Sequence, residues 1–271
     1  MKCTKEEGDN MVYSVINIDI IGSRKITNRK TVQAASIKHI EQMNRKYKTI
    51  LAAPITLTLG DEIQILLKAP YKSYMIINCF QRFFDQFHLD IYAGFGTGTI
   101  LTNLYDDTRR MDGPCFVNAR KALEIAKTKN PFYNQYVKSK DNYVFFYSDD
   151  IPLTSDRHQH LTLSPYLFSN EVAVTKVEEQ ITFNQLINNL ISNNEILKKK
   201  LTKKQKDIIS HYEEAGSYSK MIDNNPSLTK ASISQKLTAS NYSQILLNNM
   251  LLEQMLYEYC QEMIFNLNPN D

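Results

Sequence analysis

Two acids stand where acids are costly. Asp19 interrupts the run from Met11 to Ile21, which is otherwise rich in β-branched and aromatic residues and reads as a buried strand. Asp61 falls inside 55–68, two short alternating runs broken at Gly60-Asp61, which is the pattern of a β-hairpin. A carboxylate in a buried strand needs a partner. Two carboxylates projecting to one edge of a sheet make a site for Mg²⁺ or Mn²⁺. Mg²⁺ held by one or two carboxylates plus substrate phosphates is a common way to bind a nucleoside triphosphate, and paired metals can activate a 3′-hydroxyl for attack on the α-phosphate. Gly22-Ser23-Arg24 follows the first strand directly. Backbone amides in that turn, with the guanidinium beside them, suit the phosphates. The plainer reading makes Asp61 a turn residue and neutralises Asp19 with Arg24 or Lys25. Glu62, by strand alternation, turns away from Asp61.

The elements that must position these residues follow from periodicity. Residues 30–47 place Val32, Ala35, Ile37, Ile40, Met43 and Tyr47 at three- and four-residue steps, which predicts a helix. A second amphipathic helix is expected over 74–88. Residues 89–101 read as a strand region in which Gly94, Gly96 and Gly98 alternate with larger residues; such a track inside a strand admits a close-packed helix or a ligand. A helix over 117–129 and a strand over 143–147 complete the order β-α-β-β-α-β-α-β. That order predicts an α+β layer architecture over residues 11–150. Residues 148–180, with Pro152 and Pro165, read as loop, and 151–197 as linker and connecting helix, helical patterning resuming at Phe183.

The remaining segment, 198–271, patterns as helices throughout. Residues 203–212, 217–223 and 229–238, with a turn at Asn224-Asn225-Pro226, have the spacing of a helix-turn-helix unit cored by Ile208, Ile209, Met221, Ile222, Ile233 and Leu237. Its candidate recognition helix offers Thr229, Lys230, Ser232, Ser234, Gln235 and Lys236 to phosphates and base edges, and Thr229 can also cap its N-terminus. Charge favours the same segment: between Lys198 and Met250 there are nine lysines and four acids, although the whole chain carries only +3. A local excess of that sign is where a DNA contact would be made. Residues 241–267 repeat apolar side chains at helical steps and read as a packing surface or the face of a homodimer, which would supply a second half-site reader.

Composition bounds the alternatives. At 42 % hydrophobic and 23 % charged residues the chain can build a packed core. No run approaches the roughly 20 apolar residues of a membrane span, and Met1–Gly8 lacks the apolar core of a signal peptide, so a cytoplasmic location is expected. Cys3, Cys79, Cys115 and Cys260 lie too far apart for zinc-ligand spacing or a disulfide framework.

These residues resemble known families. Leu59-Gly60-Asp61-Glu62-Ile63-Gln64-Ile65-Leu66-Leu67 looks like the signature hairpin of diguanylate cyclase (GGDEF) domains, the Asp19 strand resembles their first metal strand, and class III nucleotidyl cyclases share the layout. Residues 118–127 sit where both families place a helix. More of the chain resembles the SatD family, whose segments occur here in order: Asp19–Arg24, Gly60–Glu62, Asp112-Gly113-Pro114 with Asn118-Ala119-Arg120, and the helix-turn-helix. The resemblance implies a palm-like (ferredoxin-like, nucleotidyl-cyclase-type) sheet followed by an all-α domain. It also implies Asp19 and Asp61 as metal ligands, with a nucleotide near Gly22, Ser23, Arg24, Gly60, Glu62, Asp112, Asn118 and Arg120. Two departures stand out: Leu59 replaces the first glycine of the diguanylate pattern, and Arg120 follows Asn118 by two residues where cyclases use four. The function expected is a DNA-binding regulator with a nucleotide- and Mg²⁺-binding sensory domain. The alternatives are a nucleotidyl cyclase or nucleotidyltransferase using Asp19 and Asp61, and a palm retained as an interaction scaffold.

Overall fold

A computed structural model describes residues 11–57, 62–128, 141–156, 159–160 and 181–267. Strand β1 (Tyr13–Ile20) is the centre of a five-stranded sheet ordered β2-β3-β1-β4-β5, with β2 at Thr56–Leu57, β3 at Glu62–Leu67, β4 at Ile91–Gly98 and β5 at Val144–Phe146. β1 runs antiparallel to both neighbours, and β4 pairs with β5 in parallel. Helix α1 (Arg29–Lys46) links β1 to β2, α2 (Ser73–Asp85) links β3 to β4, and α3 (Pro114–Lys127) crosses from β4 to β5. The first four strands and two helices form the split β-α-β pattern of a ferredoxin-like sheet. The fold is therefore the expected α+β type.

Strand alternation divides the sheet into two faces. On one, Ile16, Ile18, Ile63, Ile65, Ala93, Phe95, Val144 and Phe146 are fully buried against α1, α2 and two later helices. On the other, Tyr13, Val15 and Leu66 pack against Cys115 and Ala119 of α3. That second face is narrow because of the glycine track. A Cβ on Gly94 would fall 2.0 Å from the backbone nitrogen of Leu123, and one on Gly96 would fall 2.5 Å from Cβ of Asn118. Of the two roles a glycine track allows, close packing of a helix accounts for Gly94 and Gly96.

Downstream, a two-stranded ribbon pairs β6 (Thr154–Asp156) with β7 (Gln159–His160). Helices α4 (Phe183–Lys199), α5 (Lys203–Ala215), α6 (Tyr218–Asn224), α7 (Lys230–Ala239) and α8 (Tyr242–Leu267) follow. The capping predicted for Thr229 is present: its side chain accepts from the Ser232 amide, and the Ser232 hydroxyl accepts from the Thr229 amide. Thr182 and Thr202 cap α4 and α5 in the same reciprocal way, each with a glutamine.

The structure departs from the expected connector at α4. Phe183, Ile187 and Ile191 are buried in the same core as the sheet. Asn188 reaches the outer edge of β5, where its Oδ1 accepts from Phe146 N–H at 2.9 Å and its Nδ2 donates to Phe146 O at 2.8 Å. One side-chain amide thus takes the place of a further strand on an edge that is otherwise open among the described residues. Periodicity showed an amphipathic helix here but not what its apolar stripe covers. Helix α8 also joins this core through Leu252, Leu256, Tyr259 and Met263. Its first residue, Tyr242, belongs instead to a second core with Ile208, Ile209, Met221, Ile233 and Leu237, the residues expected to centre the three short helices. Among the described residues no helix is long and apolar enough to cross a membrane.

Gly96→Ala tests the tight helix-sheet contact. The added methyl meets backbone, which cannot swing aside, so a loss of about 1–3 kcal/mol is expected from urea unfolding. Gly22→Ala, with nothing within 4 Å of the new methyl, should show only the smaller cost of its left-handed backbone, φ 70°, at roughly 1 kcal/mol.

Candidate functional site

Asp19 lies near the end of β1 on the α3 face. The register places it directly opposite Glu62 on β3 and Tyr92 on β4. Residues directly opposite on neighbouring strands share a face, with Cβ atoms about 5 Å apart, and two like charges there repel. α3 supplies the compensation. Lys127 Nζ is 2.7 Å from Asp19 Oδ2, and Arg120 Nη1 donates to Glu62 Oε2 at 3.1 Å. Seven residues separate the two bases, two helical turns on one face. Neither Arg24 nor Lys25 neutralises Asp19, as the plainer reading had it; both are exposed in the short helical turn beyond β1.

Next along this face Asn17 stands opposite Gln64, whose Nε2 donates to Asn17 Oδ1 at 3.1 Å. Beyond Glu62 and Gln64 lies a pocket of about 380 Å³ completed by Thr108, Arg109, Met111, Phe116 and Arg120. Met111 and Phe116 form its apolar wall; Thr108 shares a 3.0 Å hydrogen bond with Thr56 of the edge strand. Arg109 grips Asp107 with two nitrogens, at 2.9 and 2.8 Å. These hydrogen bonds hold the Asp107 carboxyl below its ordinary value. On the opposite side of Asp19, burial raises the Tyr92 phenol, with smaller contributions from Tyr143 and from Asp19 itself.

The expected nucleotide contacts separate into groups. Glu62 and Arg120 line the pocket. Gly22, Ser23 and Arg24 form the turn beyond β1, where Gly22 is left-handed and its carbonyl accepts from Lys25 N–H at 2.8 Å. Asp112 braces the entry to α3: its Oδ1 accepts from Gly113 N–H at 2.8 Å, and its carbonyl from Leu101 N–H at 2.9 Å. Asn118 is buried and donates to the Thr97 carbonyl at 2.9 Å, tying α3 to β4. Gly60 and Asp61 lie outside the described residues. Sequence reasoning missed Lys127, the base that reaches Asp19, and set Glu62 apart from the acid pair. The i, i+7 spacing of Arg120 and Lys127 was visible; the strand register that gives them their partners was not.

A family model for the SatD family matches residues 13–154. The chain belongs to the SatD family. The matched segment holds Asp19, Glu62, Arg120 and Lys127 and ends before α4. No curated protein matches this SatD-family chain. Among solved structures, a monomeric guanylyl cyclase domain of the RhoGC fusion protein from the aquatic fungus Blastocladiella emersonii is similar at 17 % identity. It covers 41 % of this chain and 72 % of its own, with a TM-score of 0.28. At that score the likeness carries no argument.

The carboxylates fit a hard divalent cation. Asp19 and Glu62 are oxygen donors on adjacent strands, and their side chains keep 24 % and 18 % exposure, so an ion from solvent can reach them. Among the described residues no three His, Cys, Asp or Glu side chains form a metal-holding group. A cation at this place would draw on two protein carboxylates and on oxygens of its ligand.

On α7, Lys230, Ser234, Gln235 and Lys236 are exposed, whereas Thr229 and Ser232 are engaged with one another at the cap. None of Lys203, Lys204, Lys220, Lys230 and Lys236 takes part in an ion pair among the described residues.

Half-exposed ion pairs contribute at most about 1 kcal/mol each. Asp19→Asn and Glu62→Gln should therefore leave the unfolding free energy from urea titration within about 1 kcal/mol of the parent. A loss of several kcal/mol on either would make the pair a structural strut.

Proposed function

We propose that the sheet domain of this SatD-family chain binds a nucleotide together with Mg²⁺ or Mn²⁺, and that the three-helix segment binds DNA, making the protein a nucleotide-responsive regulator. The observation that carries the first part is the acid pair beside a pocket. Asp19 and Glu62 are set side by side at a cost, and the replaceable side-chain cations Lys127 and Arg120 offset it. A divalent ion would neutralise the acids in place of Lys127 and Arg120 and would bring its own attraction for phosphate. The freed ammonium and guanidinium suit phosphate oxygens, the latter in bidentate fashion. The pocket next to them has the size of a small-molecule site and an apolar wall, Met111 and Phe116, against which a base can lie. Asp61, next to Glu62 in the chain, is the further carboxylate proposed for the ion.

Binding is favoured over turnover because the groups around the pocket are committed elsewhere. Arg109 in the pocket wall is engaged with Asp107, and Asn118, outside the pocket lining, is spent on the Thr97 carbonyl. For DNA, the support is the exposed Lys, Ser and Gln side of α7 and the lysines that no acid engages. Lys230, Ser234, Gln235 and Lys236 are the proposed contacts, with Thr229 and Ser232 presenting the helix N-terminus.

Thermal denaturation with ATP or GTP and Mg²⁺ or Mn²⁺ tests the sheet domain. A ligand at 100 times its Kd stabilises by about 2.7 kcal/mol, which for a chain of this size raises Tm by roughly 5–10 °C. EDTA, Asp19→Asn and Glu62→Gln should each remove the shift. No shift with any nucleotide-metal pair overturns the proposal, and conversion of labelled nucleotide to a new product moves it to the cyclase or nucleotidyltransferase reading.

For the helical segment, DNA affinity should fall steeply as salt rises, and Lys230→Ala and Lys236→Ala should each reduce the log-log slope by about 1. A flat salt response excludes DNA.

A further inference from the structure

We infer that α8 is the interface of a homodimer in which two copies of this helix pair antiparallel. On the face of α8 opposite its buried residues Leu246, Leu247, Met250 and Leu251 are 43–62 % exposed and uncovered among the described residues, and Tyr257, 43 % exposed, meets the Tyr71 ring edge-on. Leu247, Met250, Gln254 and Tyr257 follow each other at steps of three and four, the seam spacing of a coiled coil with one polar position. Together the five apolar side chains expose on the order of 500 Å², near the upper end of what a monomer leaves to water. A second copy laid on the same face brings the buried total to about 1,000 Å², the level a specific interface must clear.

Charge selects both the partner and its direction. α8 carries Glu253, Glu258 and Glu262, no Lys or Arg, and no acid in its first turn. Its N-terminal end adjoins α5–α7, with exposed Lys203, Lys204, Lys220, Lys230 and Lys236. In an antiparallel pair with its two-fold axis level with residue 252, Leu247 meets Tyr257 of the other copy. Glu258 and Glu262 then come alongside the first turn of the other α8, where the helix dipole is positive and the lysine-rich helices begin. A parallel pair would set Glu258 and Glu262 against their own copies, Glu253 being paired with Lys72 of its own chain. The chain thus carries both halves of the complementarity, which identifies the missing partner as a second molecule of itself.

Sedimentation equilibrium of the full chain should give a dimer. Met250→Glu and Leu247→Glu should shift it to monomer with the far-UV circular dichroism unchanged, because both side chains are exposed in the single chain, and the melting temperature should lose its dependence on protein concentration. Val117→Glu, at a residue 64 % exposed on α3, should leave the dimer intact. Direction is read by mixing: Leu247→Cys with Tyr257→Cys should be joined by a short bismaleimide, and neither variant to itself. A monomeric parent, or a dimer that survives both glutamates, overturns the interface. Efficient joining of each variant to itself overturns the antiparallel pairing.

Discussion

Contact between α3 and β4 without intervening side chains is the constraint from which the site follows. A helix normally stands about 10 Å off a sheet on a cushion of side chains. Gly94 and Gly96 remove that cushion, so close that a methyl on either would collide with the helix backbone. Drawn in this far, α3 brings Arg120 and Lys127 onto Glu62 and Asp19 at hydrogen-bonding distance. Buried Asn118 holds the approach by donating to the carbonyl of Thr97, and Ser148 bonds the same residue from the other side through its hydroxyl. The glycines and the acid pair are therefore one device. Larger side chains on β4 would lift the helix, and the two acids would face each other without its bases.

Much of this was legible in the chain and some was not, for physical reasons. The order of strands and helices through β5 follows from period-2 and period-3.6 patterns, which depend on which residues are apolar and hardly on their partners. Asp19 stood out because a single acid breaks an apolar strand. Register is another matter. A hairpin shifted by one residue turns every side chain over, and the two-residue β2 leaves little pattern from which to count. Glu62 was accordingly set apart from the acids, although β3 delivers it directly opposite Asp19. α4 shows a similar limit: its apolar stripe was plain, but nothing local says that it closes the sheet core instead of bridging to the next unit.

The same limit applies to the polar positions of α4 and α8. Asn194, Glu195, Asn248 and Asn249 look like an ordinary wet helix face, yet three of them are buried. Glu195 accepts from the Tyr74 hydroxyl at 2.7 Å and from Gln81 at 2.9 Å, and pairs with Lys198 at 2.5 Å. Asn194 donates to Asn249 at 2.9 Å and accepts from Asn248. Burial pushes the Tyr74 phenol well up, helped by the Glu195 charge; burial also lowers the Lys198 ammonium, with Glu195 opposing it. No apolar pattern announces such a network, since it is recognisable only once its members meet.

That network also fixes how α2, α4 and α8 sit against one another. An apolar seam between α8 and α4 could slide by a turn at small cost. A seam of paired amides cannot, because each group moved off its partner is left buried and unpaired, at about 1–3 kcal/mol apiece. α2, α4 and α8 are thereby held in a single register. α8 is 26 residues long, about 39 Å at 1.5 Å per residue, and has one end in the sheet core and the other among the lysine-bearing helices. With its register fixed, a rigid-body adjustment of α2 against the sheet reaches the three-helix unit as a movement of the whole rod. Packing of this kind carries a displacement without a dedicated path of residues.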